Sequence, residues 1–217
     1  MDKPMSAPNP SMAPVRRPLL RGVHHLVFNT DDLRGTLDFW VRVLGMPLLH
    51  GLLTGAGAKA FAATRGNPPF DNIPHYFVDM GGDSTIAFFE FPKADNLAKA
   101  DRNLLAAMQH VSFVSSPSRF IEMQQRLKDN GVAITFGPMV VIPPNIQSFY
   151  FFDPNGIRLE ISADMDGDEE ELDVVRSLTM DRATMKSELQ KISTDAAWID
   201  GMLDCMPEAP PLYPKKV

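Results

Sequence analysis

The sequence predicts an α+β protein made of a βαβββ unit that occurs twice, followed by a helical extension. Three observations carry this reading. A short, apolar, strand-like run opens each half, "VHHLVFN" at 23–29 and "MQHVSFVSS" at 108–116. Each run precedes a segment with apolar residues at helical spacing, closed by Gly45 or Gly131. Finally, "HLVF" at 25–28 matches "HVSF" at 110–113, so the halves read as an internal repeat.

The first helix spans 30–46. Leu33, Leu37, Trp40 and Leu44 recur at helical spacing with Val41 beside them, and Thr30 or Asp31 caps the start. "PLLHGLLTG", "AKAFAATRG" and "PHYFVDMGG" read as strand-like pieces, and "STIAFFEFP" (84–92) as a strongly apolar strand. In the second copy "SPSRFIEMQQRLKDNG" (116–131) is a helix with Ser116 as N-cap and Pro117 at its first position. "VAITFGPMVVIPP", "QSFYFFDPNG" and "IRLEISAD" follow. "DPNG" joins the last two as a hairpin, because Pro154 presets φ and Asn155-Gly156 tolerate the left-handed region.

The linker at 93–107 reads as partly helical. Beyond Asp164, "DMDGDEEELD" reads as a solvated helix start, since its glycine sits too early for an EF-hand loop. "EELDVVRSLTMDRATMKSELQKI" and "TDAAWIDGMLDCM" read as two helices, an arm packed on its own domain or on a partner subunit. The expected organisation is a flexible tail at 1–20, paired modules at 21–164 (about 21–92 and 108–164), and a helical extension at 165–217 with a proline-rich end.

With 217 residues and a 44% hydrophobic fraction, the chain can bury a real core. A net charge of -6 argues against nucleic acid and against anionic membrane surfaces as partners. Cys205 is the single cysteine, so no intrachain disulfide can form. No apolar run is long enough to span a bilayer, and the proline-broken N-terminus is not a signal peptide. The cytoplasm is the expected compartment.

Strand parity locates the chemistry. Side chains alternate across a strand, so His25 shares a face with Val27 and Asn29, while Leu26 and Phe28 take the other. By the same rule His110 pairs with Ser112, and Arg158, Glu160 and Ser162 lie opposite Ile157, Leu159 and Ile161. If the apolar faces meet the helices, His25, His110 and Glu160 share the inner faces of two similar sheets. A glutamate in mid-strand is costly to bury without compensation. Two histidines and a carboxylate around a divalent cation would supply it, and that donor set with open positions suits Fe(II). Mn, Zn or Ni fit less specifically. Pairing with a lysine or arginine is the alternative.

These residues carry a resemblance. The doubled pattern over 21–164 resembles the vicinal oxygen chelate superfamily, which includes glyoxalases, bleomycin-resistance proteins and type I extradiol dioxygenases. The resemblance implies two modules forming a cupped mixed β-sheet barrel around a metal. Its ligands come from the first strand of each module and the last strand of one or both, here His25, His110 and Glu160. "FYFFDPNGIRLE" (149–160) resembles the extradiol ring-cleavage signature, and by that likeness Tyr150 donates a hydrogen bond near bound substrate. Two departures stand out. "VVIPPNIQS" lacks the histidine of that signature, and Asp83-Ser84 replace an acid–base histidine. His75, or failing that His50, becomes the candidate for proton transfer. Glu90 is the candidate fourth ligand of a glyoxalase-like site, whereas a phenylalanine at that position favours three ligands. Phe88, Phe149 and Phe152 are candidate pocket residues.

The leading expectation is therefore a mononuclear Fe(II) dioxygenase-like enzyme acting on a small aromatic or vicinal-oxygen substrate. A glyoxalase- or epimerase-type lyase or isomerase, and a metal-free resistance-type binding protein, are the alternatives. A homodimer is the expected assembly.

Overall fold

A computed structural model of the chain describes residues 20, 22–53, 73–91, 98–143, 145–167 and 174–207. The expected N-terminal tail up to 19, the "AKAFAATRG" piece and the proline-rich end from 208 lie outside them. The chain divides into two units, Gly22–Leu172 and a second made of Met1–Arg21 with Asp173–Val217.

Gly22–Leu172 contains two four-stranded mixed sheets of identical topology. The first has β1 (His25–Thr30), β2 (Leu48–Leu53), β3 (Pro74–Gly81) and β4 (Ser84–Glu90) in the order β1-β4-β3-β2. The second has β5 (Val111–Val114), β6 (Phe136–Ile142), β7 (Ile146–Phe152) and β8 (Arg158–Asp164) in the order β5-β8-β7-β6. β1 runs parallel to β4, and β5 parallel to β8; the remaining pairs are antiparallel. The internal repeat is thus a repeat of topology.

Helix α1 (Leu33–Leu37) is capped by Asp32, one residue beyond the expected caps, whose side chain accepts from the Gly35 N–H. It continues as a π-helical segment, Asp38–Val43, rather than as one α-helix to residue 46. That widened turn places the neighbours Phe39 and Trp40 both inside the core. Gly45, at φ 76°, ends the run. Helix α2 (Pro117–Asp129) starts on the expected Ser116 cap, which accepts from the Arg119 N–H. Gly156 in the "DPNG" turn has φ 87°, the conformation predicted for it. Residues 98–107 form turns, because Asp101 accepts from the backbone N–H of Asn103. The helical reading of the linker fails over that stretch.

Leu26 and Phe28 of β1 lie on the same face as Ile86 and Phe88 of β4, while Leu159 and Ile161 of β8 lie with Phe149 and Phe151 of β7. These two apolar faces, α1 and α2 share a single core. Trp40 is fully buried and touches Phe28 and Phe88 of the first sheet and Phe113 of the second. Phe39 meets Phe151, and Phe120 of α2 packs edge-on against Phe149. The helices therefore lie between the sheets. The two expected modules are present, and among the described residues their sheets are separate and do not close into one barrel. The reason is packing: once Trp40 fills the space between two apolar faces, the polar faces turn away from it.

A polar cluster joins the modules beside that core. Asp153 accepts from Trp40 Nε1 at 3.2 Å, from Asn155 Nδ2 at 3.0 Å, and from the backbone N–H groups of Asn155 and Ile157 at 2.9 and 2.7 Å. Asn155 in turn accepts from Thr30 at 2.8 Å and donates to Thr36 at 3.1 Å.

The second unit carries α3 (Val174–Leu178), α4 (Arg182–Leu189) and α5 (Ala196–Asp204). The first of the two expected helices is broken, because Asp181 caps a new start by accepting from the N–H groups of Ala183 and Thr184. Arg182 ties α4 to α5 through the Leu203 carbonyl and Asp204.

Asp153→Asn puts an amide nitrogen where an oxygen now faces two N–H donors, and leaves those donors buried and unmatched. Denaturant unfolding is expected to show a loss of about 2–4 kcal/mol. Burial also pushes the Asp153 carboxyl above the usual carboxylate range. A carboxyl whose native pKa is raised binds its proton more readily folded than unfolded. Its contribution is therefore greatest below the unfolded value near 3.8 and declines as pH rises through the native one. The Asn variant is expected to lack that component in a pH series of unfolding curves.

Candidate functional site

The outward face of the second sheet holds a donor pair. His110, immediately before β5, lies with its Nε2 2.8 Å from Glu160 Oε2. The Glu160 side chain is only 7% exposed, so its charge is largely withdrawn from water. Its other oxygen accepts from the Ser162 hydroxyl at 3.1 Å. Ser162 is in turn linked to Ser112 at 2.9 Å and Ser148 at 2.8 Å, which makes a short chain of hydroxyls leading to the carboxylate.

Tyr150 sits directly across from Glu160 in the β7–β8 register, edge-on to the His110 ring at 5.8 Å. Its phenol is pushed up to about 12, first by burial, then by the hydrogen bond to Glu160 and that group's negative charge. Tyr150 thus remains a neutral donor at physiological pH. The Arg158 guanidinium stacks on its ring at 4.3 Å, and Arg102 stands over Phe152 at 5.4 Å.

The outward face of the first sheet is different in character. His25 shares it with Val27 and Asn29, as strand parity requires, and contacts His24 and Phe77. Phe77 is ringed by three imidazoles, with centroids at 6.2 Å (His25), 5.9 Å (His50) and 4.4 Å (His75). His75 also stacks on Phe89 at 3.8 Å. Burial lowers its pKa, with smaller contributions from His25 and His50, and its Nε2 is buried without a hydrogen-bond partner among the described residues.

Several expected site residues face elsewhere. Phe88 and Phe149 are fully buried on the helix side, packed on Trp40 and Phe120 respectively. They sit one register step from the outward positions, and their faces are the apolar ones. Phe152 does face outward with Tyr150. Glu90 pairs with the buried Thr30 and accepts from the Leu33 N–H at 3.0 Å, so it serves the start of α1. With His25 aligned on His110, Val27 corresponds to Ser112; Ser112 pairs with Glu160, but Val27 pairs with Ala87. The position equivalent to Glu160 is therefore Ala87, not a phenylalanine or Glu90.

Among the described residues no three His, Cys, Asp or Glu side chains converge into a metal-binding group. The chain brings His110 and Glu160 together and leaves His25 on the other sheet. Parity puts His25 and Glu160 opposite the apolar faces, as in the sheets, but those faces point outward and are not the shared inner face expected. The arginines stacked on aromatic rings and the serine chain went unread, although the serines share the donors' parity.

The glyoxalase/bleomycin resistance protein/dioxygenase superfamily model matches residues 22–161. The chain belongs to that superfamily. A glyoxalase/bleomycin resistance protein/dioxygenase domain from Frankia sp. EAN1pec superposes with TM-score 0.51 at 21% identity, covering 69% of this chain and 96% of that one. A glyoxalase/dioxygenase from Nostoc punctiforme gives 0.49 at 23%, covering 71% and 99%. The fosfomycin resistance protein FosX from Listeria monocytogenes gives 0.47 at 20%, covering 71% and 100%. No curated protein matches the chain. Superfamily membership supports a metal-dependent glyoxalase-, dioxygenase- or resistance-type fold. No helix among the described residues is long and apolar enough to cross a membrane.

Glu90→Gln keeps the shape of the contact with Leu33 and removes its charge at the α1 start. It is expected to lower stability by about 0.5–1 kcal/mol in thermal unfolding and to leave metal uptake unchanged.

Proposed function

We propose that this protein is a metal-dependent enzyme whose centre is built from His110 and Glu160 of one subunit and His25 of the partner subunit. The observation that carries this reading is the enclosed His110–Glu160 pair on an outward-facing sheet. A carboxylate and an imidazole in contact are a sound partial donor set for a divalent cation, and the neighbouring hydroxyls orient the carboxylate. The helix-filled core turns the two sheets' polar faces away from it, so a second copy is the economical source of the third donor. Exposed apolar side chains on those faces, Val27 and Leu52 on one and Val114 and Phe136 on the other, give such a copy something to cover.

Ala87 at the position equivalent to Glu160 favours three donors over four. That supports a dioxygenase-like enzyme over the glyoxalase or epimerase alternative, with Fe(II) the favoured ion and a small aromatic or vicinal-oxygen compound as substrate. The bound ion would supply a chelating Lewis-acid centre for two adjacent substrate oxygens. The chain's own residues would do the rest. Tyr150 donates a hydrogen bond from a phenol that stays protonated. His75, neutral and with a free buried nitrogen, is the proton acceptor on the facing sheet. Phe77, Phe89 and Phe152 provide apolar walls. The resistance-type binding reading leaves the buried Glu160 carboxylate with an imidazole as its one candidate cationic partner among the described residues.

Metal analysis tests this. Protein reconstituted with Fe(II) or Mn(II) is expected to bind one ion per subunit, and His25→Ala, His110→Ala and Glu160→Gln to lose affinity by about 100-fold or more. His24→Ala is expected to load normally. Loaded protein should consume oxygen with some member of a catechol panel. Loss of metal in His24→Ala but not in His25→Ala would contradict the assigned strand register.

A further inference from the structure

Arg158 lies on the outward face two residues before Glu160 and pairs with Phe152 across β7. Its guanidinium turns back over the ring of Tyr150, the residue facing Glu160, at 4.3 Å. The ring supports the guanidinium, and the side chain as a whole is half-buried. No carboxylate among the described residues pairs with it, although the chain has 27 acidic residues against 21 basic ones. Glu160, the acid nearest along the strand, is engaged by His110, Tyr150 and Ser162. Arg102 over Phe152 adds a second stacked guanidinium on the same side. A half-buried arginine set over an aromatic ring beside a donor pair, with no carboxylate partner among the described residues, is arranged to receive an anion. A net charge of -6 disfavours a polyanion as that partner.

We propose that Arg158 is the anion-recognising residue of this site, and that the substrate bears a carboxylate or phosphonate group in addition to its adjacent oxygens. The proposal rests on the reading of the outward face as the substrate site, and it names the substrate class. The acidic group meets the Arg158 fork while the vicinal oxygens lie toward His110 and Glu160. Tyr150 serves as the shelf that holds the guanidinium in place.

The test is titration of the full-length protein, with and without Mn(II), with catechol, 3,4-dihydroxybenzoate and 3,4-dihydroxyphenylphosphonate. These probes share one chelating group and differ in charge. The wild type is expected to bind at least one charged probe about tenfold more tightly than catechol at low salt, in either metal state. Which charged probe gains identifies the anion as carboxylate or phosphonate. Arg158→Gln is expected to bring all three affinities within about twofold of one another. Arg158→Lys, which keeps the charge but not the fork, should retain part of the preference, and Tyr150→Phe, which keeps the shelf, nearly all of it. Circular dichroism and Tm establish that each variant is native. Equal affinities in the wild type, or an undiminished preference in native Arg158→Gln, would overturn the proposal. Mn(II) stoichiometry in the same samples judges the metal reading separately, because the charge preference is read in metal-free protein as well.

Discussion

Both sheets give their apolar faces to one core, and Trp40 sits where those faces meet. Its ring touches Phe28 and Phe88 on one side and Phe113 on the other, while its N–H is held by Asp153 in the hairpin turn of the second module. Everything chemical in the molecule follows from that arrangement. A sheet with one face committed to helices has only the other for function, and alternation then dictates which side chains it presents. His25, His75 and Phe77 emerge on one sheet, and His110, Tyr150, Arg158 and Glu160 on the other. The module junction is therefore also what aims these two groups of side chains.

The second sheet concentrates polar groups that constrain one another. Glu160 is drawn out of water and answered by an imidazole, a hydroxyl and a phenol. The phenol is kept neutral first by burial and then by that same carboxylate, and the guanidinium lies over the ring of the phenol. The first sheet carries no carboxylate opposite β1 at the matching position, having Ala87 instead. Duplication of the fold has thus been followed by divergence of the faces. One half carries a carboxylate beside an imidazole and a phenol, the other three imidazoles around a phenylalanine.

Much of this was legible from the residues. The repeat, the α2 cap and terminator, the "DPNG" hairpin and the inward–outward parity of His25, His110 and Glu160 depend on local rules that neighbouring residues satisfy among themselves. Phe88, Phe149 and Glu90 were misread because the sequence shows their type but not the register, and a one-residue shift moves a strand residue to the opposite face. How the two modules meet is not legible for a different reason. Whether two modules join along their edges or share a helix-filled core depends on long-range packing of Trp40 and Phe39, which no local pattern encodes. The stacked arginines depend on the β7–β8 pairing and on side-chain direction, and so escape a linear reading as well.

The central claim is that one chain carries two unlike half-sites and that a second copy completes them. Subunit mixing tests it most directly. His25→Ala and Glu160→Ala chains, each expected to bind metal poorly alone, are combined under exchange conditions and assayed for bound Mn(II). A mixed dimer joins the intact His25 of one chain to the intact His110 and Glu160 of the other. The account predicts recovery of about a quarter of the wild-type metal at equal mixing, since half the dimers are mixed and each has one whole site. No recovery from variants that demonstrably exchange subunits, or full metal binding by wild-type protein at dilutions where it is monomeric, would contradict it.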